Sequence, residues 1–147
     1  AAGMFFNIRL DTGKTEMISA VLDGTCYHLK WMLECQDKKV KTSDPIRFVG
    51  GGALSPVPCQ RLADITGRTI EVVAAPQNAG SVGAAAVMAV GLGLISGLDV
   101  VQSLIPAVEQ YVPDPARFAA YQPYYAVFKK LYRSNRKNFR ALNGAGQ

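Results

Sequence analysis

Three consecutive glycines, Gly50 to Gly52, lie between a short apolar run and a segment that has the features of a helix start. A strand that enters a glycine-rich turn and then a helix can bind phosphate or nucleotide, because the ligand reaches the backbone and the first N–H groups of the helix. GGGA has no following Lys-Ser/Thr pair and lacks the spacing of the dinucleotide fingerprint. The spacing by itself therefore favours a tight turn over a binding loop.

Few residues could bind a metal ion or act as a nucleophile. The sequence has three cysteines, Cys26, Cys35 and Cys59, and one histidine, His28. No Cys-x-x-Cys pair is present, and Cys26 and His28 are two positions apart, so they cannot share one face of a helix. We interpret the cysteines as buried free thiols of a cytoplasmic protein, and we predict neither a metal site nor a catalytic nucleophile.

The composition indicates one soluble globular domain. With 49% hydrophobic and 18% charged residues, the 147-residue chain can form a core and is unlike a disordered protein. The longest apolar stretch, residues 81–101, is interrupted by glycines, which favours a buried Ala/Gly helix over a membrane span. Residues 1–10 lack the basic region of a secretory signal. We therefore expect no association with a membrane.

The hydrophobic pattern predicts an α/β order of elements. Strands are predicted over residues 3–10, 46–49 and 69–74, and helices over residues 15–34, 56–66, 81–94, 99–104 and 116–142. Thr15 and Ser55 are the predicted N-caps, and Gly67 is the predicted left-handed residue that ends a helix. The residues expected to pack the small-residue helix against the sheet are Ala84, Ala85, Met88, Leu92 and Ile95.

Four motifs, in order, resemble the C-terminal part of FGGY-family carbohydrate kinases. The first runs through Gly3, Phe5, Asn7 and Ile8, and then through Glu16, Met17, Ala20, Val21, Leu22 and Asp23. The others are GGGALSPVPCQRLADITG, SVGAAAVMAVGLG and YVPDPARFAAYQPYYAVFKKLYR. Asn7 departs from a glycine of the family pattern, Ala2 from a frequent arginine, and Asn78 from a frequent glutamate. The LADITG form is more similar to members that act on xylulose or gluconate than to glycerol kinases.

The resemblance implies an α/β fold: a partial ribonuclease H-like (actin/hexokinase-like) domain with a mixed sheet, packed helices and a long C-terminal helix. Residues 1–147 would be the C-terminal segment of the nucleotide-binding domain, without its first strands, the catalytic base and the N-terminal sugar domain. The implied activity is ATP-dependent phosphorylation of a sugar hydroxyl. Xylulose is the expected sugar, with gluconate and other pentuloses as alternatives. Mg²⁺ would be bound mainly through the phosphates and through upstream residues.

The resemblance also assigns the nucleotide pocket. Gly51 and Gly52 would approach the phosphate and ribose, Ala53 would lie beside the adenine, and Ser55 would lie near the adenine edge. The pocket would be completed by Gly50 and Leu54. No catalytic residue is expected within this segment.

The segment by itself is expected to be inactive and to need a partner. Its carboxylates Asp23, Asp64 and Glu71 do not match the family's base, and we interpret them as solvated or capping charges. The strand predicted at residues 3–10 would lack its neighbours, and open strand edges pair readily with other chains. The expected partners are ATP or ADP, a sugar bound through the missing domain, and the remainder of the kinase chain or a second copy.

Two other functions are compatible with parts of the sequence. The net charge is +5, and the last helix carries a group of cations: Lys129, Lys130, Arg133, Arg136, Lys137 and Arg140. These would suit nucleic acid or an anionic surface, but no nucleic-acid motif accompanies them, so we favour a solvated helix face and expect no nucleic-acid partner. A non-catalytic actin-like nucleotide-binding or assembly module would also accommodate the glycine loop. We interpret Trp31 as a core residue rather than a platform for sugar stacking.

Overall fold

A computed structural model describes residues 3–101 and 105–144 of the chain. The four helices in these ranges are α1 (Lys14–Asp37), α2 (Pro56–Thr66), α3 (Ala79–Gly91) and α4 (Pro115–Asn143). The three strands are β1 (Ile46–Phe48), β2 (Ile70–Val73) and β3 (Ala107–Tyr111), and short 3₁₀ turns occupy Gly51–Leu54, Pro76–Asn78 and Leu98–Val100. The sheet order is β1-β2-β3, with β1 parallel and β3 antiparallel to β2. This mixed sheet with packed helices confirms the predicted fold class.

Helix α2 connects the two parallel strands and supplies much of the core. It follows the extended residue Ser55 and begins at Pro56, where proline is tolerated because first-turn N–H groups have no acceptor within the helix. Gly67 ends it in the left-handed region with φ of 71°, as predicted. Its buried side chains are Cys59, Leu62, Ala63, Asp64 and Ile65. Most of these pack with Ile70 and Val72 of β2, which fixes α2 on the sheet.

Helices α1 and α4 cover α2 through a cluster of aromatic rings. Tyr27 of α1 lies 5.8 Å from Tyr125 and 5.6 Å from Phe128 of α4, measured between ring centroids. Trp31 packs edge-on against Phe128 and Tyr132. Trp31 therefore belongs to the packing between α1 and α4, as the sequence predicted.

The predicted strand at residues 3–10 is wrong. These residues form no strand, and the apolar side chains of Met4, Phe5, Phe6, Ile8 and Leu10 are exposed. A strand is stable only when its backbone groups pair with a neighbouring strand, and the described residues offer this segment none. Asn7 has a φ of 62°. Asparagine tolerates this left-handed conformation better than most residues, which suits a position where the family pattern has glycine.

Other predicted features also require correction. Strand β3 was not predicted, and it adds an antiparallel neighbour to β2. Helix α1 begins at Lys14 after the N-cap Gly13, so Thr15 is not the cap. Helix α3 begins at Ala79, two residues before its predicted start at residue 81. Near the predicted helix at 99–104 the described chain has the Leu98–Val100 turn, and residues 102–104 lie outside the described ranges.

Helix α3 does not use the predicted face to pack against the sheet. Its one buried residue is Ala86, whereas Ala84, Ala85, Met88 and Leu92 are exposed and Ile95 is half-buried. The helix instead contacts the turns Pro76–Asn78 and Leu98–Val100. Periodicity cannot rank the faces of a helix that is apolar all round, and this is why the prediction failed.

The three cysteines differ in burial. Cys26 and Cys59 are buried free thiols, as predicted, whereas Cys35 is exposed. Cys35 lies near the end of α1, where the helix has passed beyond the core.

Among the described helices, none has the length and apolar character needed to cross a membrane.

Candidate functional site

The glycine loop, defined here as Gly50–Ser55, begins where β1 ends. Gly50 has φ of 92° and ψ of −174°, a conformation that residues with a Cβ rarely adopt. The next four residues turn as a 3₁₀ helix, which the Ala53 amide starts by donating to the Gly50 carbonyl at 3.1 Å. Ser55 is extended and delivers the chain to the first turn of α2. The loop thus joins the end of a strand to the start of a helix, as the sequence predicted.

The three glycines differ in whether the protein itself has room for a side chain. A Cβ on Gly52 would lie 3.0 Å from the ring carbon Cζ of Phe48, so this position is closed by the preceding strand. A Cβ on Gly51 would meet no atom within 4 Å. The space beside Gly51 is open, and only the absence of a side chain leaves it available to a ligand.

The rest of the loop packs on buried side chains of α2 and β2. The Ala53 side chain is buried beside Cys59 and Val72, so only the Ala53 backbone can face a ligand. The Cys59 thiol lies 3.9 Å from the Ala53 carbonyl oxygen. Burial raises the pKa of this thiol, and the negative charge of Glu109 adds to the effect. Cys59 therefore stays protonated and acts as a small apolar support rather than a nucleophile.

Leu54 and Ser55 complete the set of predicted pocket residues. Both side chains are exposed at the rim of the loop. Ser55 occupies the N-cap position of α2 as predicted, but its hydroxyl makes no capping hydrogen bond. Pro56 and Pro58 carry no backbone N–H, so of the first three residues of α2 only Val57 has one, and Ser55 gives it no side-chain acceptor.

A second loop lies against the glycine loop. Because β1 and β2 are parallel, both strands end at the same edge of the sheet, where ligands of open α/β sheets commonly bind. The Gly50 amide donates to the carbonyl of Pro76, in the turn after β2, at 2.9 Å. Sequence patterns predicted no strand or helix over residues 75–80 and did not link this segment to the glycine loop. The two strands that precede and follow α2 in the sequence are parallel, and this arrangement is the signal that could have linked the segment to the glycine loop.

The carboxylates do not converge on the glycine loop. Asp64 is only 2% exposed, so its interpretation as a solvated charge is wrong. Its Oδ1 accepts hydrogen bonds from Gln60 Nε2 and the Asp114 amide, both at 2.9 Å, and this joins α2 to the start of α4. Asp23 forms an ion pair with Arg61 at 2.8 Å, and Glu71 with Arg47 at 3.8 Å. In the described ranges, no group of three acidic, histidine or cysteine side chains could hold a metal ion.

One cavity adjoins the first turn of α2 and is lined by no residue of the glycine loop. It measures about 530 Å³ and lies between α2, the end of β3 and the start of α4, where Arg61, Arg117 and Tyr121 are among the lining residues. Both arginines already face an acidic partner, Asp23 for Arg61 and Asp64 for Arg117. This cleft has little uncompensated charge to offer a ligand, and we regard the glycine loop as the better candidate.

Comparison with known proteins identifies the family. Residues 1–92 match the model of the C-terminal domain of the FGGY family of carbohydrate kinases. The chain belongs to this family. It is 29% identical over 133 residues to xylulose kinase of Escherichia coli K12, and 30% identical over 129 residues to probable L-xylulose kinase of Pasteurella multocida. Over 136 residues it is 29% identical to gluconokinase of Bacillus licheniformis.

Solved structures of FGGY kinases share the fold. The crystal structure of xylulose kinase from Rhodospirillum rubrum superposes with a TM-score of 0.79 at 28% identity over 95% of this chain. The crystal structure of gluconate kinase from Lactobacillus acidophilus does so with a TM-score of 0.73 at 25% identity over 92% of the chain. An actin-like assembly module and a nucleic-acid-binding domain are not favoured by these matches.

This FGGY chain corresponds to only part of its relatives. It covers 28% of the length of the E. coli xylulose kinase and 25% of that of the P. multocida protein. In the R. rubrum structure it corresponds to 28% of the solved chain. The activity of a whole kinase is therefore a matter for proposal.

Proposed function

We propose that these residues form the adenine-nucleotide side of an ATP-dependent sugar kinase. The observation that carries the proposal is the position of the glycine loop at the shared end of two parallel strands, with open space beside Gly51. An FGGY domain that presents this loop next to the start of a helix has the geometry of a nucleotide site. The proposed contacts are those that the sequence indicated: Gly50, Gly51, Gly52, Ala53, Leu54 and Ser55.

The chain would bind and orient the nucleotide rather than transfer the phosphoryl group. The missing side chain of Gly51 would let the ribose and phosphates approach the backbone. The Val57 N–H, which has no side-chain acceptor from the cap, and the positive end of the α2 dipole would favour negative charge nearby. When bound, ATP supplies the phosphoryl group, and we assign Mg²⁺ binding mainly to its phosphates and to residues outside this segment. The base that accepts the sugar-hydroxyl proton and the sugar site would also lie in other parts of the kinase.

We propose xylulose as the sugar, with xylulose 5-phosphate as the product. The support is the recurrence of xylulose kinase among both the sequence relatives and the solved structures. Gluconate is the runner-up, since gluconokinase is also among the relatives. A coupled assay of the complete polypeptide with ATP and each sugar decides between them. Faster turnover of gluconate than of xylulose would overturn this choice without affecting the nucleotide site.

The nucleotide site can be tested on the chain itself by calorimetric titration with ADP and Mg²⁺. We expect the unaltered chain to bind ADP, Gly51→Ala to bind it more weakly, and Gly51→Val to lose about tenfold or more in affinity, because a side chain would fill the open space. The matched control is Gly24→Ala, a helix position on α1 where an added Cβ also meets no atom within 4 Å. This control should leave ADP binding unchanged.

Thermal melts separate a local from a global effect. The Gly51 variants should unfold at the same temperature as the unaltered chain in the absence of ADP, because the added side chains point into open space. Failure of the unaltered chain to bind ADP, or equal binding by Gly51→Val, would defeat the assignment of the site.

A further inference from the structure

The turn Pro76–Asn78 forms a second wall beside the glycine loop. Its place is fixed at one end by the Gly50 amide, which donates to the Pro76 carbonyl at 2.9 Å, and by the buried Pro76 ring. The next two side chains, Gln77 and Asn78, are exposed. Neither amide group has a hydrogen-bond partner among the described contacts. Two unpaired amides thus lie one and two residues beyond the contact that joins the loops.

The backbone before this turn is held in an unfavourable conformation. Ala75 has φ of 47°, in the left-handed helical region. Its Cβ and the proline that follows it both disfavour this region. This single residue redirects the chain at the end of β2 so that the turn runs along the glycine loop. Strained residues of this kind persist where the surrounding structure over-determines them. Here the Gly50–Pro76 hydrogen bond and the buried Pro76 ring hold the turn in place.

We infer that Gln77 and Asn78 determine the base specificity of the nucleotide site. A carboxamide presents one acceptor oxygen and an N–H₂ donor side by side. The edge of adenine likewise presents an amino donor next to a ring-nitrogen acceptor, which is why Asn and Gln pair with adenine in two hydrogen bonds. On the N7 edge guanine presents two acceptors, O6 and N7, so a carboxamide that makes two hydrogen bonds to this edge matches adenine and not guanine. The wall therefore selects adenine over guanine nucleotides.

This inference rests on the proposed nucleotide site and adds side-chain donors and acceptors to a loop whose one polar side chain is the hydroxyl of Ser55. Backbone at glycine positions approaches the ribose and phosphates, which ADP and GDP share. Discrimination between the two bases needs side chains with donors and acceptors. Along the shared end of β1 and β2, the amides of Gln77 and Asn78 are well placed to provide them.

The test compares ADP and GDP binding, each with Mg²⁺, to the 147-residue chain by calorimetric titration. The double variant Gln77→Ala/Asn78→Ala should lose about tenfold in ADP affinity and little in GDP affinity, since each lost bidentate pair reduces discrimination by about this factor. The acceptor-only variant Gln77→Glu/Asn78→Asp keeps side-chain size but should shift the ratio further towards GDP. Gln36→Ala on α1, another exposed amide, is the matched control and should leave the ratio unchanged.

The outcomes separate this inference from the proposed function. Gly51→Val should weaken ADP and GDP equally, whereas the amide variants should change their ratio. If the unaltered chain binds ADP but the amide variants retain its preference for ADP over GDP, base recognition by this wall is refuted and the glycine-loop site stands. If the unaltered chain binds neither nucleotide, both the proposed function and this inference fail.

Discussion

Cys26 is a thiol whose surroundings in the folded protein oppose its ionisation. It lies on α1 within the main core cluster, beside Tyr27 and Leu62. Burial raises the pKa of Cys26 from an ordinary value of 9.0 to about 11, and the nearby carboxylate of Asp23 acts in the same direction. The unfolded chain therefore gives up this proton at a lower pH than the folded chain does.

Cys26 should make the protein lose stability as the pH rises from about 9 to about 11. Its contribution is complete below about pH 9 and disappears as the pH rises towards 11, because the folded state keeps a proton that the unfolded state releases. We expect the free energy of unfolding to fall by about 1 to 2 kcal/mol from this group, after allowance for solvent screening. Urea unfolding at successive pH values, compared with Cys26→Ala, measures it. Tyrosines titrate in both proteins, so the difference between the curves isolates Cys26, and parallel curves would contradict the prediction.

Sequence patterns predicted single residues well where the cause is local. Gly67 ends α2 because the chain there needs a left-handed residue, and Trp31 packs against Phe128 and Tyr132, as expected of a large aromatic side chain. The burial of Asp64 and the exposure of Cys35 were not predicted, because burial depends on elements far away in the sequence. The carboxylate of Asp64 is covered by the start of α4, fifty residues further along, where the Asp114 amide and Arg117 reach it. The residues next to Asp64 in the sequence do not indicate these partners.

Lys30 connects α1 to the end of the helix that follows the glycine loop. Its side chain is buried, and its ammonium group donates to the Ile65 carbonyl at 3.1 Å and to the Thr66 carbonyl at 3.5 Å. It also lies 5.0 Å from the centroid of the Phe118 ring. Burial lowers the pKa of Lys30, so the group is held charged at a cost that these contacts offset. The carbonyls at the negative end of α2 thus have a cationic donor.

Removing this donor should destabilise the packing of α2. In Lys30→Met the volume is nearly kept, but buried carbonyls of the last turn lose their partner, which costs about 1 to 3 kcal/mol. Chemical denaturation of the variant measures the loss. Lys130→Met, at an exposed lysine of α4, is the matched control and should change stability by less than about 0.5 kcal/mol. Equal stability of Lys30→Met and the unaltered chain would show that desolvation of the ammonium group cancels its hydrogen bonds.

At the scale of elements, sequence periodicity found helices and failed on isolated strands. Helices α1, α2 and α4 appeared within a few residues of their predicted bounds, because their hydrophobic faces and end signals lie within one segment. A strand depends on a neighbour instead. Residues 3–10 have the composition of a strand without a pairing edge, and Ala107–Tyr111 have little of the composition but lie beside β2. The glycine loop was predicted from its own residues, while its neighbouring wall required the knowledge that β1 and β2 are parallel.

The whole molecule exposes more surface than its mass would suggest. Its accessible area is 10300 Å², whereas a compact monomer of 15.8 kDa exposes about 7,300 Å². Exposed apolar side chains lie on residues 3–10 and along α3, where Met88 is 66% exposed. An excess of roughly 3,000 Å² is comparable to what large permanent interfaces bury. This agrees with the proposal that the rest of a kinase polypeptide packs on these surfaces.

The 147-residue chain by itself should therefore self-associate. Exposed apolar side chains and the free edge of β1 can bury their surface and pair their backbone groups only against another molecule. Sedimentation velocity over a wide concentration range should show a growing fraction of dimers and larger species, and Phe6→Ser/Leu10→Ser should reduce it. Leu142→Ser, at an equally exposed residue near the end of α4, is the control and should have little effect. A monodisperse monomer with a sharp, cooperative calorimetric melt would contradict the prediction, because it would show that these surfaces are stable in water without a partner.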